Sequence, residues 1–270
     1  MGKNKLKKFA EMETFSNVFQ CNSRELITDE IEQSSMKTLN HPMIGHWRDK
    51  YFHNNNPIVL ELGCGRGEYT VGLAQKYPDK NFIGVDIKGA RIWAGAKQAE
   101  LAGMRNVAFL RTNIEFITSF FAAGEVDEIW ITFCDPQMRK ATKRLTSTFF
   151  MQRYQQIVKP NGIIHLKTDS PFLYTYTAEM LRLNPYPVLA DTDDLYATTM
   201  DKKPNESDEL RLADARALQT HYEKQWLDRG LTIKYLEWQL VPLTQWQEPE
   251  IDIEKDSYRS YGRNYNTFNV

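Results

Sequence analysis

The sequence predicts an α/β fold with a mostly parallel central sheet and helices on both faces. Three observations carry this. Short β-prone apolar runs alternate with segments of helical spacing from residue 57 to about residue 183. The first run feeds a glycine-rich turn that opens a helix. The second and fifth runs each end in an aspartate, Asp86 and Asp169, where ligands of such sheets bind.

Residues 1–56 read as an N-terminal extension, partly mobile, closing in the breaker cluster HNNNP. Residues 57–245 read as the main domain. Its strands are expected at 58–62 (IVLEL), 81–86 (NFIGVD), 107–110, 126–133 (VDEIWITF) and 162–167 (GIIHLK). Helices are expected near 68–76, 91–102, 145–158 and 172–183, with Thr146 as a cap for the third. Residues 191–209 read as a long polar loop. Residues 210–229 read as one helix stopped by Gly230, before a late strand at 231–240. Residues 246–270 read as a C-terminal tail packed on the domain.

Composition excludes several classes. No apolar run approaches the ~18–20 residues of a membrane span, and the basic start lacks the apolar segment of a secretory signal. Cys21, Cys64 and Cys134 are too irregularly spaced for a disulfide framework or a zinc site, so neither metal nor membrane is expected and the cytoplasm is the expected compartment. Net charge is −1, but Lys3, Lys5, Lys7 and Lys8 form one basic block and Arg139, Lys140, Lys143 and Arg144 another. A solvated surface accounts for either block taken alone. The sequence leaves the oligomeric state open.

The glycine loop is Glu61-Leu62-Gly63-Cys64-Gly65-Arg66-Gly67. Its glycines permit a tight turn and close approach of a ligand to the backbone at Gly63 and Gly65. The dinucleotide spacing and the P-loop ending are both absent. Glu61 would repel a phosphate and suits a cationic amino-acid end. Asp86 is placed for ribose hydroxyls, and Asn113, after the third strand, for an adenine. A sulfonium amino acid, a ribose and an adenine without phosphate describe S-adenosylmethionine (SAM).

On ELGCGRGEY, FIGVD, an Asp-Pro followed by basic residues and KRL, HLKTDS and the late THYE, the chain resembles the bacterial tRNA (guanine-N7-)-methyltransferases over roughly residues 58–240. The resemblance implies a Rossmann-like class I SAM-dependent fold and methyl transfer to a guanine in the tRNA variable loop. By that likeness Glu61, Asp86, Asn113 and Asp135 would contact SAM. Arg139, Asp169, Thr220 and Glu223 would contact the guanine or the tRNA, and Asp135 would be the catalytic carboxylate. Glu223 would accept from the guanine N1–H and N2–H₂, and the basic residues after Asp135 would hold tRNA phosphates. The chain departs from the family at Gln137-Met138, where Trp-Pro is usual, at Arg139, usually lysine, and at Asn113, often aspartate.

His165, inside an apolar strand, reads as packed, and His221 as solvent-facing. Cys134 reads as a small strand residue, because guanine N7 needs no covalent help. The aromatic residues of the chain end (Trp238, Trp246, Tyr258, Tyr261, Tyr265) suit core packing or base stacking. Two other readings stand beside the main one: a SAM-dependent enzyme acting on a small molecule, and a non-catalytic RNA-binding module.

Overall fold

The structure is a computed structural model, and it describes residues 3–21, 26–32, 35–197 and 206–258. In chain order the strands are β1 (Val18–Gln20), β2 (Ile27–Glu32), β3 (Ser35–Thr38), β4 (Ile58–Leu62), β5 (Asn81–Asp86), β6 (Val107–Arg111), β7 (Val126–Thr132), β8 (Val158–Thr168), β9 (Val188–Thr192) and β10 (Lys234–Leu240). The α-helices are α1 (Lys3–Met12), α2 (Glu68–Lys76), α3 (Gly89–Leu101), α4 (Thr148–Ile157), α5 (Pro171–Leu183), α6 (Glu206–Ala217) and α7 (His221–Asp228).

Eight strands form one sheet in the order β1-β6-β5-β4-β7-β8-β10-β9, and β2 and β3 form a separate hairpin. All pairings from β1 to β8 are parallel, and β10 runs antiparallel to both β8 and β9. From β4 the chain moves outward to β5 and β6, then returns to place β7 on the other flank of β4. The strand order therefore reverses at β4, and the crevice at the carboxyl ends of β4 and β7 is where such sheets bind ligands.

Alternation along the buried strands sends side chains to two cores. Ile58, Leu60 and Leu62 join Ile129, Ile131, Ile164 and Leu166 on the face covered by α4 and α5. Val59, Phe82, Phe109, Trp130 and Tyr235 join Tyr69, Ile92 and Ala96 of α2 and α3 on the other. No helix among the described residues is long and apolar enough to cross a membrane.

The expected boundary at residue 56 separates segments that pack together. β1 extends the sheet through parallel pairing with β6. Trp47 is fully buried and donates from Nε1 to the Phe120 carbonyl at 2.9 Å. Glu11 of α1 binds Lys97 (2.6 Å) and the Trp93 indole (2.8 Å) of α3. Three expectations change. The single helix over 210–229 is two, α6 and α7, because Thr220 caps a new start. The first two residues of the expected polar loop, 191 and 192, belong to β9, which pairs with β10. Ser147, not Thr146, stands at the N-cap of α4, and Glu248 from the tail accepts the Thr148 amide at 3.2 Å.

Gly67 shows how tightly the glycine loop is fitted. Its φ is +72°, and a Cβ there would lie 2.6 Å from Cε1 of Phe109. Gly67→Ala is therefore expected to cost about 2–4 kcal/mol, from the left-handed backbone and the overpacked ring together. A urea melt with an unchanged m-value measures it.

Candidate active site

The carboxyl ends of β4, β5, β6 and β7 surround two open hollows that share Gly63. One, of ≈ 430 Å³, is lined by Glu61, Gly65, Arg91, Thr132, Thr220 and Tyr222 among others. The second, of ≈ 560 Å³, is lined by Asp86, Ile87, Asn113, Ile114, Leu145 and Phe150 among others. Gly63 and Gly65 make the saddle between them at φ +77° and +55°, which lets the bare backbone face the crevice. Glu61, Gly63, Gly65, Asp86 and Asn113 are thus brought to one continuous crevice.

Glu61 is 4% exposed at the end of β4. Its Oε1 accepts the Thr132 hydroxyl at 2.6 Å, and its Oε2 accepts the Thr70 amide at 2.8 Å and the Thr70 hydroxyl. Burial pushes its carboxyl up to about 7, against the hydrogen bonds from Thr132 and Thr70, and the charge of Asp86 adds to the rise. Asp86 accepts the Gly65 amide at 3.0 Å and the Lys88 amide at 2.7 Å, so it holds the glycine loop while facing the second hollow. Asn113 caps the short 3₁₀ turn Ile114–Ser119 through the Glu115 amide at 3.3 Å.

Asp135 follows β7 on a strained loop. Phe133 and Gln137, neither of them glycine, stand at φ +49° and +47°. Left-handed backbone at such residues is a feature of functional sites. Asp135 is exposed, and its Oδ1 accepts the Gln137 amide at 3.0 Å. The loop lies over the saddle: a Cβ on Gly63 would sit 3.8 Å from Cβ of Cys134. Cys134 itself is buried, as are Cys21 and Cys64.

The basic loop does not present all its cations outward. Arg139 and Lys140 are exposed. Lys143 pairs with Glu115. Arg144 is 9% exposed, stacks over Phe172 and Tyr176 at 4.8 and 4.4 Å, and donates to the carbonyls of Gln137 (3.2 Å) and Met138 (3.3 Å). It braces the loop from inside.

Asp169 lies at the end of β8, fully buried, and accepts the Tyr258 hydroxyl at 2.8 Å. Thr220 reaches the first hollow. Glu223 does not. The T-x-x-E pattern is a capping box: Thr220 Oγ1 accepts the Glu223 amide, and Glu223 accepts the Thr220 amide. Glu223 is fully buried and bound by Lys167 Nζ at 2.7 Å and by the Tyr196 hydroxyl at 2.7 Å. Its carboxylate is thus engaged inside the protein, in a buried ion pair with Lys167.

Lys167 escaped the sequence reading. Fully buried at the end of β8, it also donates to the carbonyls of Ala215 (2.5 Å) and Leu218 (2.9 Å). Burial pulls its ammonium down to about 8, against Glu223, which favours the charge. A lysine immediately before the Thr168-Asp169 strand end was the available signal. His165 is packed as expected, stacked on Trp130 at 3.9 Å. Among the described residues no group of His, Cys, Asp and Glu could hold a metal ion.

A family model described as a putative methyltransferase matches residues 55–236. The tRNA (guanine-N(7)-)-methyltransferase of Bacteroides thetaiotaomicron is 54% identical over 97% of this chain and 96% of its own length. The chain belongs to the tRNA (guanine-N(7)-)-methyltransferase family. The family member from Porphyromonas gingivalis is 54% identical over 93% of this chain and 96% of its own. A more distant one, from Brevibacillus brevis, is 31% identical over 72% and 85%. Among solved structures, a variant of the 16S rRNA (adenine(1408)-N(1))-methyltransferase from Catenulisporales acidiphilia shares the fold, with TM-score 0.50 at 14% identity over 77% of this chain and 96% of that one. In this family member the crevice therefore sits where its class I fold places ligands.

Proposed function

We propose that this protein transfers a methyl group from SAM to N7 of a guanine in the variable loop of tRNA. The near full-length identity to tRNA (guanine-N(7)-)-methyltransferases is the observation that carries this reading. The crevice supports it. Glu61 and Thr220 line the end suited to a cationic amino acid, and Asp86 and Asn113 line the end suited to a nucleoside. Asp86 keeps lone pairs for ribose hydroxyls, and the apolar walls of Ile87, Ile114, Leu145 and Phe150 suit an adenine. An anionic Glu61 on the floor disfavours a phosphate ligand. Bound there, SAM supplies an electrophilic methyl on a sulfonium.

Guanine N7 is a lone-pair nucleophile without a proton, so no general base is needed. The protein's task is orientation and electrostatics. Asp135, beside the Gly63 saddle, stabilises the positive charge that develops on the purine. The strained turn at Phe133 and Gln137, braced by Arg144, fixes where that carboxylate points. Arg139 and Lys140 remain free of this bracing and bind phosphates of the tRNA. The protein acts in the cytoplasm, in keeping with three cysteines that form no disulfide among the described residues.

The decisive experiment is transfer of labelled methyl from SAM to unmodified tRNA transcripts, with product nucleosides identified by mass. 7-Methylguanosine is expected, and its loss when the variable-loop guanine is replaced. Transfer only to small molecules would overturn the reading.

Glu61 makes SAM binding pH-dependent. Its folded pKa, about 7, lies above the ordinary 4.5. In the ligand-free protein its contribution to stability is complete below about pH 4.5 and is lost as pH rises through 7. A bound ammonium needs the ionised form. SAM affinity is therefore expected to rise up to about tenfold per pH unit from 5.5 toward 7, then level off, falling again as the ligand's own amino group deprotonates near 8. Calorimetry across that range checks it, and Glu61→Gln removes the rise.

A further inference from the structure

The tail after β10 is a strap across the carboxyl edge of β8. Glu248 accepts from the amide and hydroxyl of Thr148 and from the Tyr176 hydroxyl. Further on, Asp256, 5% exposed, accepts from the Ser170 hydroxyl and from the Phe172 amide at 3.1 Å. The Asp256 amide in turn meets Sδ of Met138 at 3.2 Å. Met138 is one of three residues in this loop, with Gln137 and Arg139, that depart from the pattern of the family the sequence resembles. Two residues later the Tyr258 hydroxyl binds Asp169, and the Tyr258 ring sets edge-on to Trp226 of α7 at 5.6 Å.

Tyr258 brings to this place what a guanine brings: a flat ring beside Trp226 and a polar hydrogen for the Asp169 carboxylate. A guanine has N1–H and N2–H₂ donors on one edge, which a carboxylate accepts as a pair. Asp169 is fully buried under this cover, so no base reaches it while the strap is down. We propose that the strap is a substrate-displaced lid, with Tyr258 occupying the target base's place on Asp169 until the tRNA guanine exchanges for it. This rests on the functional reading above. Met138 couples the lid to the loop that carries Asp135 and Arg139, so base entry and loop placement are one event. The closed lid lowers apparent tRNA affinity by the fraction of open molecules, and weakening its latch recovers that loss.

The test uses the full chain and two variants. Tyr258→Phe removes only the hydroxyl on Asp169. Asp256→Asn weakens the second anchor and leaves Asp169 and Tyr258 unchanged. The Kd for an unmodified tRNA transcript is measured by filter binding, methyl formation is measured separately, and SAM Kd and Tm serve as controls. Both variants are expected to bind tRNA more tightly, Tyr258→Phe about tenfold, the worth of one hydrogen bond to a charged group. SAM affinity is expected to stay within twofold of wild type. Unchanged or weaker tRNA binding by Tyr258→Phe would overturn the lid and leave the strap a fixed wall. Wild-type protein that forms no 7-methylguanosine would overturn the functional reading instead, whatever the Kd values show. No tRNA binding by any form would overturn both.

Discussion

Asp135→Ala is expected to give a folded protein that binds SAM and methylates tRNA about 10²–10³-fold more slowly in kcat. The fold tolerates the change because Asp135 is exposed and the hydrogen bond seen for its side chain is to the Gln137 amide of its own loop. On the proposed mechanism the chemistry does not tolerate it, because positive charge leaves sulfur and appears on a purine beside this carboxylate. Asp135→Asn separates the two contributions. The amide oxygen can still accept from Gln137 and hold the turn, while the charge is gone. A kcat for Asp135→Asn close to that of alanine would assign the effect to charge, and one close to wild type would assign it to loop geometry. Single-turnover transfer to a tRNA transcript reads the chemical step directly. A loss confined to KM would show that Asp135 binds tRNA uniformly and does not favour the transition state.

The second large effect is on stability. Lys167→Met is expected to cost about 3–5 kcal/mol, because it strands the buried Glu223 carboxylate. In a chain of this length that lowers Tm by roughly 10 °C. The lysine holds three things at once: Glu223, the Ala215 carbonyl and the Leu218 carbonyl. It therefore pins the end of α6 and the start of α7 to the end of β8. Thr220, at the start of α7, lines the hollow proposed above for the amino-acid end of SAM. Loss of the pin is expected to raise the SAM Kd as well. Lys167→Met combined with Glu223→Gln should recover part of the stability, since the uncompensated charge is then gone. Additive losses in the double variant, measured by denaturant melts, would refute the pairing.

The parts of the site that lie on strand ends were legible in the sequence. A strand end is marked by where an apolar run stops, so Glu61, Asp86 and Asp169 could be placed on the carboxyl edge without knowing any contact. The side chains that act through tertiary partners were not legible. Arg144 reads as one more cation in a basic loop, and only Phe172 and Tyr176 of a later helix turn it inward. Glu223 reads as a base-recognising acid, although T-x-x-E is equally the signature of a helix start. That second meaning also explains why the single helix over 210–229 breaks at Thr220. β1 is three residues long, and β9 leaves Val188 and Asp191 exposed. Neither has the apolar run that marks a central strand, because each lies at an edge of the sheet.

The strap also has a consequence for how the chain matures on the ribosome. The amide of Thr148, in the first turn of α4, finds its acceptor in Glu248, 100 residues later. The Phe172 amide, in the first turn of α5, waits 84 residues for Asp256. Until β10 is made, β8 is an unpaired edge of the sheet. A nascent chain halted near residue 230 thus lacks the tail acceptor for one first-turn amide in each of two helices and has an open strand edge. The protein should resist protease only once the segment through Asp256 has cleared the exit tunnel.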